Sequence, residues 1–136
     1  MTAGYLLDTH VFLNIAKLDR PLSKRLAEVL DDPKAELFLS AVSIAEACIK
    51  ANLGKLTLPD IIARDPAAGF RAAASRFGYR LLPLEVEHAS RLLGLPHHHG
   101  DPFDRLLICQ AMAENLILVS DDRAFPLYSG LSLLRS

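Results

Sequence analysis

The chain has 136 residues, of which 51% are hydrophobic and 23% are charged, and its formal net charge is −1. This composition is typical of one folded globular domain, and it excludes a strongly basic protein that holds nucleic acid by bulk charge as well as an acidic disordered tail. No window reaches the roughly 18 apolar residues of a membrane span. The amino terminus lacks the basic segment of a signal peptide, so we expect a cytoplasmic protein with no membrane partner.

Short apolar runs alternate with longer segments of helical spacing. The predicted strands cover residues 4–7, 36–39, 79–84 and 116–119, with a short fifth strand at 131–134. The predicted helices cover residues 11–18, 22–30, 42–53, 59–77 with a break at Pro66, 85–93 and 102–115. This alternation predicts an α/β fold, with a parallel sheet of four to five strands flanked by helices on both faces. A ligand site in such a sheet lies beyond the carboxyl ends of the strands.

Acidic residues concentrate at that expected edge of the sheet. They are Asp8 after the first strand, Glu46 in the helix after the second, Asp101 and Asp104 at the start of the last helix, and Asp121 and Asp122 after the fourth strand. Two like charges about 4 Å apart repel by roughly 4 kcal/mol at an effective dielectric of 20, so such a cluster requires protons or a cation. Ligands that are all oxygen favour Mg²⁺ or Mn²⁺ over zinc.

Two of these acids also match helix-capping patterns near the start of the chain. Asp8 stands where an N-cap is expected before the first helix. Ser43 and Glu46 have the spacing of a capping box, in which the glutamate reaches back to the N-cap amide. Both residues therefore have a structural interpretation beside the metal-binding one.

The acids near the carboxyl terminus carry similar alternatives. Asp101, followed by proline, makes a good N-cap, and capping is at least as well supported for it as metal contact. Asp104 is favoured as a metal ligand. Of Asp121 and Asp122, one is expected to face the site and the other solvent, because neighbouring side chains point apart at a strand end.

The histidines and cysteines do not form a zinc site. His97, His98 and His99 are expected to be loop residues near the pocket, with His99 as a candidate substrate contact. Cys48 and Cys109 lie alone in apolar stretches, which indicates buried reduced thiols.

Basic residues are enriched in the middle of the chain. Residues 50–91 hold seven basic and four acidic side chains. This segment is either a solvated helix surface or a weak phosphate-facing rim.

Together these motifs resemble the PIN-domain ribonucleases and, among them, the VapC-type toxins of bacterial type II toxin–antitoxin modules. The resemblance covers essentially the whole chain as a single PIN domain over residues 1–136. It rests on three blocks in the order LLDTHVFLN, SAVSIAEACIKANLGKL and LPHHHGDPFDRLLICQAMAENLILVSDDRAF.

The resemblance implies a role for each acidic position. The implied metal-binding and catalytic set is Asp8, Glu46, Asp104 and Asp122. Thr9 and Ser120 match the hydroxyls that orient these acids, Asp101 matches an acid characteristic of the subgroup, and Asp121 becomes a bystander.

The resemblance also implies an activity and its partners. It implies an endoribonuclease toxin that hydrolyses RNA phosphodiester bonds with Mg²⁺ or Mn²⁺, with no side chain as nucleophile. A homodimer is implied, with paired sites flanking a groove, as is inhibition by a VapB-like antitoxin in a heterotetramer or larger assembly. The alternative is a catalytically inactive PIN-like module that binds RNA or protein. A doubly wound phosphatase is disfavoured, because His10 replaces the second aspartate expected after the first strand.

Overall fold

The computed structural model describes residues 3–17 and 23–135, and in these residues one sheet of five parallel strands is formed. The strands are β1 (Gly4–Leu7), β2 (Glu36–Ser40), β3 (Tyr79–Leu82), β4 (Ile117–Val119) and β5 (Leu133–Leu134). Their order across the sheet is β3-β2-β1-β4-β5, and each neighbouring pair is parallel. The predicted α/β fold with a parallel sheet is confirmed.

Helices connect the strands and lie in the predicted order. They are α1 (Thr9–Lys17), α2 (Lys24–Asp31), α3 (Ala41–Asn52), α4 (Asp60–Arg64), α5 (Pro66–Phe77), α6 (Val86–Ser90) and α7 (Pro102–Glu114). The predicted ends of the first two helices at residues 18 and 22 lie outside the described residues. Within the ranges that the structure describes, no helix is long and apolar enough to cross a membrane.

The central strands bury both of their faces. Leu7 and Val119 belong to an apolar layer that includes residues of α1, α2, α3, α4 and α5. Leu6 and Leu118, their neighbours in sequence, belong to a second layer that includes residues of α7. Because successive strand residues point to opposite faces, this division places helices on both sides of the sheet, as predicted.

Several element ends differ from the prediction for local reasons. β3 ends at Leu82 instead of residue 84, since Pro83 has no amide hydrogen for the next sheet bond. The predicted helix over residues 85–93 divides into α6 and a 3₁₀ turn at Arg91–Gly94. Asn115 takes a left-handed conformation with φ 54° after α7, and β4 begins two residues later. Both cysteines are free, with Cys109 buried and Cys48 only partly buried.

The sheet order places β1 between β2 and β4. The chain therefore leaves β1 towards one edge of the sheet and later returns to its other side. The carboxyl ends of β1 and β4 lie at this switch point, where ligands bind in open parallel sheets. Asp8 directly follows β1, and its amide donates to the carbonyl of Val119 at 3.0 Å, so the two strand ends are joined at this point.

Candidate metal centre

Asp8 is held rigidly at the end of β1 and is only 4% exposed. Its Oδ1 accepts a hydrogen bond of 2.7 Å from the amide of Val11, and its carbonyl accepts from the amide of Phe12, so Asp8 also caps α1. Burial raises the pKa of Asp8, while hydrogen bonds from the Ser120 side chain and the Val11 amide oppose that rise. The capping interpretation and a place in an acidic group are therefore compatible for this residue.

Glu46 is almost completely buried on α3 and is paired with a lysine. Its Oε2 accepts a hydrogen bond of 2.5 Å from Nζ of Lys50, one helical turn further along. Its other oxygen, Oε1, is buried and has no hydrogen-bond partner among the described residues. The capping-box interpretation is wrong, because the N-cap is Ser40, whose Oγ accepts from the amide of Val42 at 2.9 Å. Glu46 lies too far into the helix to reach that N-cap.

Asp101 is the N-cap of α7, as its sequence context predicted. Its Oδ1 accepts hydrogen bonds from the amides of Phe103 at 2.9 Å and Asp104 at 3.2 Å. Asp101 therefore fixes the first turn of the helix that carries Asp104.

Asp104 lies where the negative charges of the other acids meet. Burial and the charges of Asp101, Glu46, Asp122 and Asp8, in that order, raise the pKa of Asp104 to about 8. Its side chain is 14% exposed. The structure thus brings the other three acids of the implied metal-binding set, Asp8, Glu46 and Asp122, within electrostatic range of Asp104.

The acids that follow β4 differ in exposure. Asp122 is partly buried, its Oδ1 accepts from the amide of Ala124 at 2.8 Å, and its own amide donates to Oγ of Ser120 at 3.1 Å. Asp121 is exposed, and its charge adds to the rise in the pKa of Asp8. This difference fits the expectation that one of the pair faces inwards, although the assignment of Asp122 as a metal ligand stays a prediction.

The two hydroxyl residues of the implied site behave differently. Ser120 is fully buried and bonds both to the side chain of Asp8 and to the backbone of Asp122. Oγ1 of Thr9 is buried without a hydrogen-bond partner in the described part of the chain. Ser120 therefore contacts both Asp8 and Asp122, whereas Thr9 has a free hydroxyl oxygen among the described residues, and the orienting role of both hydroxyls stays a prediction.

The histidine loop, residues 95–100, lies beside Asp104. Nδ1 of His99 shares a hydrogen bond of 2.8 Å with the hydroxyl of Tyr128, and its Nε2 lies 3.7 Å from Oδ2 of Asp104. The guanidinium of Arg105 donates to that hydroxyl and to the carbonyls of residues 95, 96 and 99. The loop is therefore fastened next to the acidic group, and a substrate contact by His99 stays a prediction.

A buried contact that the sequence did not indicate joins the two helices that carry Glu46 and Asp104. Oγ of Ser40, at the start of α3, donates to Oε1 of Gln110 on α7 at 2.5 Å, and Nε2 of Gln110 donates to the carbonyl of Pro83 at 3.2 Å. Both side chains are fully buried. This bond fixes the spacing of α3 and α7.

The carboxylates are close but are not arranged as a ready ligand set. Among residues 3–17 and 23–135, no group of three or more His, Cys, Asp or Glu side chains stands in a metal-holding arrangement. Some of the carboxylate oxygens are engaged by backbone amides and by Lys50. The chemistry nevertheless fits a divalent cation, since the donors are oxygens, Oε1 of Glu46 is an unused buried acceptor, and Asp104 is surrounded by negative charge.

Comparisons with known proteins give a family and a fold. The profile of the PIN domain matches residues 5–131. The structure of VapBC2 from Rickettsia felis bound to a DNA fragment from their promoter matches with a TM-score of 0.70 and 18% identity, over 98% of each chain. The structure of DNA-bound VapBC from Salmonella typhimurium matches with a TM-score of 0.67 and 14% identity, over 99% of this chain and 98% of that one. The structure of VapBC-1 from nontypeable Haemophilus influenzae matches with a TM-score of 0.65 and 19% identity, over 97% of each chain. A sequence search of curated proteins gives no match.

Proposed function

The chain belongs to the PIN domain family, and from this premise we propose that it is a metal-dependent endoribonuclease, the toxin of a VapC-type toxin–antitoxin module. The resemblance to PIN domains is thereby confirmed. The fold of the VapBC structures agrees with the narrower resemblance to VapC-type toxins. The observation that carries the proposal is the environment of Asp104, a largely buried acid that four neighbouring carboxylates surround. Buried like charges destabilise a fold, so their retention at a topological switch point favours a functional site.

The residues proposed to hold Mg²⁺ or Mn²⁺ are Asp8, Glu46, Asp104 and Asp122. When bound, the ion supplies an activated water as nucleophile and neutralises the charge that develops at phosphorus. The chain positions these ligands through its own contacts. Ser120 orients Asp8, and Asp101 caps the helix turn that carries Asp104.

Phosphate groups of RNA are proposed to meet an exposed basic rim. Lys55, Arg64, Arg71 and Arg80 are exposed and belong to the basic segment of residues 50–91. Exposed cations of this kind bind the phosphate backbone without reading sequence.

A protein antitoxin is the proposed partner. The structural neighbours named above are VapBC complexes, and two of them are bound to DNA. By analogy we propose that this chain forms a homodimer and assembles with a VapB-like antitoxin into a heterotetramer or a larger complex. We also propose a single PIN domain over residues 1–136 and a cytoplasmic location.

RNA cleavage by purified protein tests the proposal. Total RNA is incubated with the wild type, Asp8→Asn and Asp31→Asn in Mg²⁺, in Mn²⁺ and in EDTA. Asp31 is an exposed acid at the end of α2, so its variant is the matched control. We expect cleavage by the wild type and Asp31→Asn with either metal, and none by Asp8→Asn or in EDTA. Cleavage by Asp8→Asn at the wild-type rate contradicts the site, and RNA binding without cleavage identifies a non-catalytic module instead.

A further inference from the structure

Lys50 places a cation in direct contact with the acidic centre. Its ammonium lies 2.5 Å from Oε2 of Glu46, and the two residues are one turn apart on α3. The Glu46 side chain is 2% exposed, whereas that of Lys50 is 35% exposed. The pair therefore joins a buried carboxylate to a cation at the rim of the site.

The surroundings of this pair distinguish it from an ordinary ion pair on a helix surface. Besides Glu46, the acids Asp101 and Asp104 lie within electrostatic range of the Lys50 ammonium. The ammonium thus interacts with acids on α3 and on α7 at once. Exposed pairs at this spacing contribute only a few tenths of a kcal/mol, but a pair with one buried member also compensates a charge that has no access to water.

We propose that Lys50 is a resident counter-ion that a divalent cation displaces from Glu46, and that the displaced ammonium then binds a phosphate of the RNA substrate. The inference rests on the proposed function for the identity of the cation and the substrate. It adds a binding residue to the implied acidic set and assigns it two successive partners.

The geometry of Glu46 implies that Lys50 and a divalent cation compete for its carboxylate. Oε2 is occupied by Lys50 and Oε1 is buried without a partner among the described residues. A dication that binds this carboxylate meets a positive charge already in contact with it, so the ammonium and the dication repel each other. Moving the ammonium away removes that repulsion.

The second step follows from the reach of the lysine side chain. A flexible four-carbon stem lets the ammonium move towards solvent while the stem stays packed. Lys50 begins the basic segment of residues 50–91, which holds the exposed rim proposed to face phosphate. Because Lys50 contacts the acidic centre before its release, the released ammonium stays within the length of its own side chain of that centre, where we expect the phosphate to bind.

Binding measurements without turnover test both steps. Mn²⁺ is titrated by calorimetry into the wild type, Lys50→Met, Lys50→Gln and Lys34→Met. Lys34 is exposed and precedes β2, at the opposite end of the sheet from the acids, so its variant removes the same charge elsewhere. Circular dichroism checks that each variant is folded, and Lys50→Gln retains a hydrogen-bond donor should Lys50→Met fail to fold.

We expect both Lys50 variants to bind Mn²⁺ roughly fivefold more tightly than the wild type, and Lys34→Met to match the wild type. Equal affinity in all four proteins overturns the competition while leaving the proposed function intact. Weaker binding by both Lys50 variants overturns it too, because it shows that Lys50 holds Glu46 in place for the ion. Absence of Mn²⁺ binding by the wild type overturns the proposed metal site itself, and with it this inference.

The phosphate step has a separate measurement. Binding of a fluorescein-labelled single-stranded RNA of mixed sequence is followed by anisotropy in saturating Ca²⁺ at several salt concentrations, with RNA integrity checked on gels. Loss of one phosphate contact lowers the slope of log K against log salt by about 0.7, and we expect this change in the Lys50 variants. A slope equal to that of the wild type overturns the phosphate step.

Discussion

Replacing Asp104 by asparagine is expected to stabilise the metal-free protein at neutral pH. Burial and four neighbouring carboxylates raise the pKa of Asp104 to about 8 from the ordinary value of 3.8. Between these two values the folded protein keeps a proton that the unfolded chain releases. The free energy of unfolding therefore falls as the pH rises through this window, and an asparagine removes that loss.

The size of the effect is set by the partial exposure of the side chain. One proton that differs between the folded and unfolded states changes stability by at most about 1.4 kcal/mol per pH unit. Asp104 is 14% exposed, so solvent screens part of the repulsion. We expect a net gain of about 1–2 kcal/mol for Asp104→Asn at pH 7.

Urea unfolding followed by circular dichroism measures this gain. Wild type, Asp104→Asn and Asp31→Asn are compared in EDTA at pH 6, 7 and 8. The wild type and the Asp31 control should lose stability with rising pH, and Asp104→Asn should lose less. Equal pH slopes in the wild type and Asp104→Asn would refute the reasoning, since Asp104 would then be ionised and solvated.

Three further substitutions test packing and positioning. In Gly69→Ala the new Cβ would lie 2.5 Å from Cα of Ile62, so α4 and α5 must separate, and we expect a loss of about 1–3 kcal/mol in urea unfolding. Gln110→Leu removes the bond to Ser40, and we expect a similar loss of about 1–3 kcal/mol together with weaker Mn²⁺ binding, with a double-mutant cycle showing coupling to Ser40→Ala. Tyr128→Phe removes the hydroxyl that fastens the histidine loop, and thermal unfolding should show a loss of about 1–3 kcal/mol.

Much of the fold could be predicted because local signals and sheet topology agree. A buried strand ended by Asp8 and a helix break at Pro66 both lie where the sequence indicates. The predicted end of the third strand was wrong because two leucines around Pro83 continue the apolar pattern, although the proline cannot continue the hydrogen bonding. An apolar pattern alone does not reveal that proline lacks the amide hydrogen needed for the next sheet bond.

The acidic group could also be predicted, because it depends on strand ends and helix starts and not on distant contacts. The Glu46–Lys50 pair was missed, although its spacing of four residues is a local signal, since Lys50 was interpreted only as part of a basic segment. Ser40 and Gln110 are 70 residues apart, and Tyr128 is 29 residues from His99. No periodic pattern connects such residues, so only the folded structure reveals that they support the site.

The acidic centre has two internal compensations for its charge, and the one at Asp104 predicts that cation binding releases a proton. Lys50 neutralises Glu46, and near pH 7 a proton neutralises Asp104, whose pKa is about 8. A dication that binds the ionised carboxylates must remove that proton, as metal ligands in general must be deprotonated. Calorimetric titration of Mn²⁺ at pH 7 in buffers of different ionisation enthalpy should therefore show release of about one proton for each site filled. The release should disappear above pH 8 and in Asp104→Asn. An observed heat that is independent of the buffer would show that Asp104 is already ionised and that the negative charge of the site is balanced elsewhere.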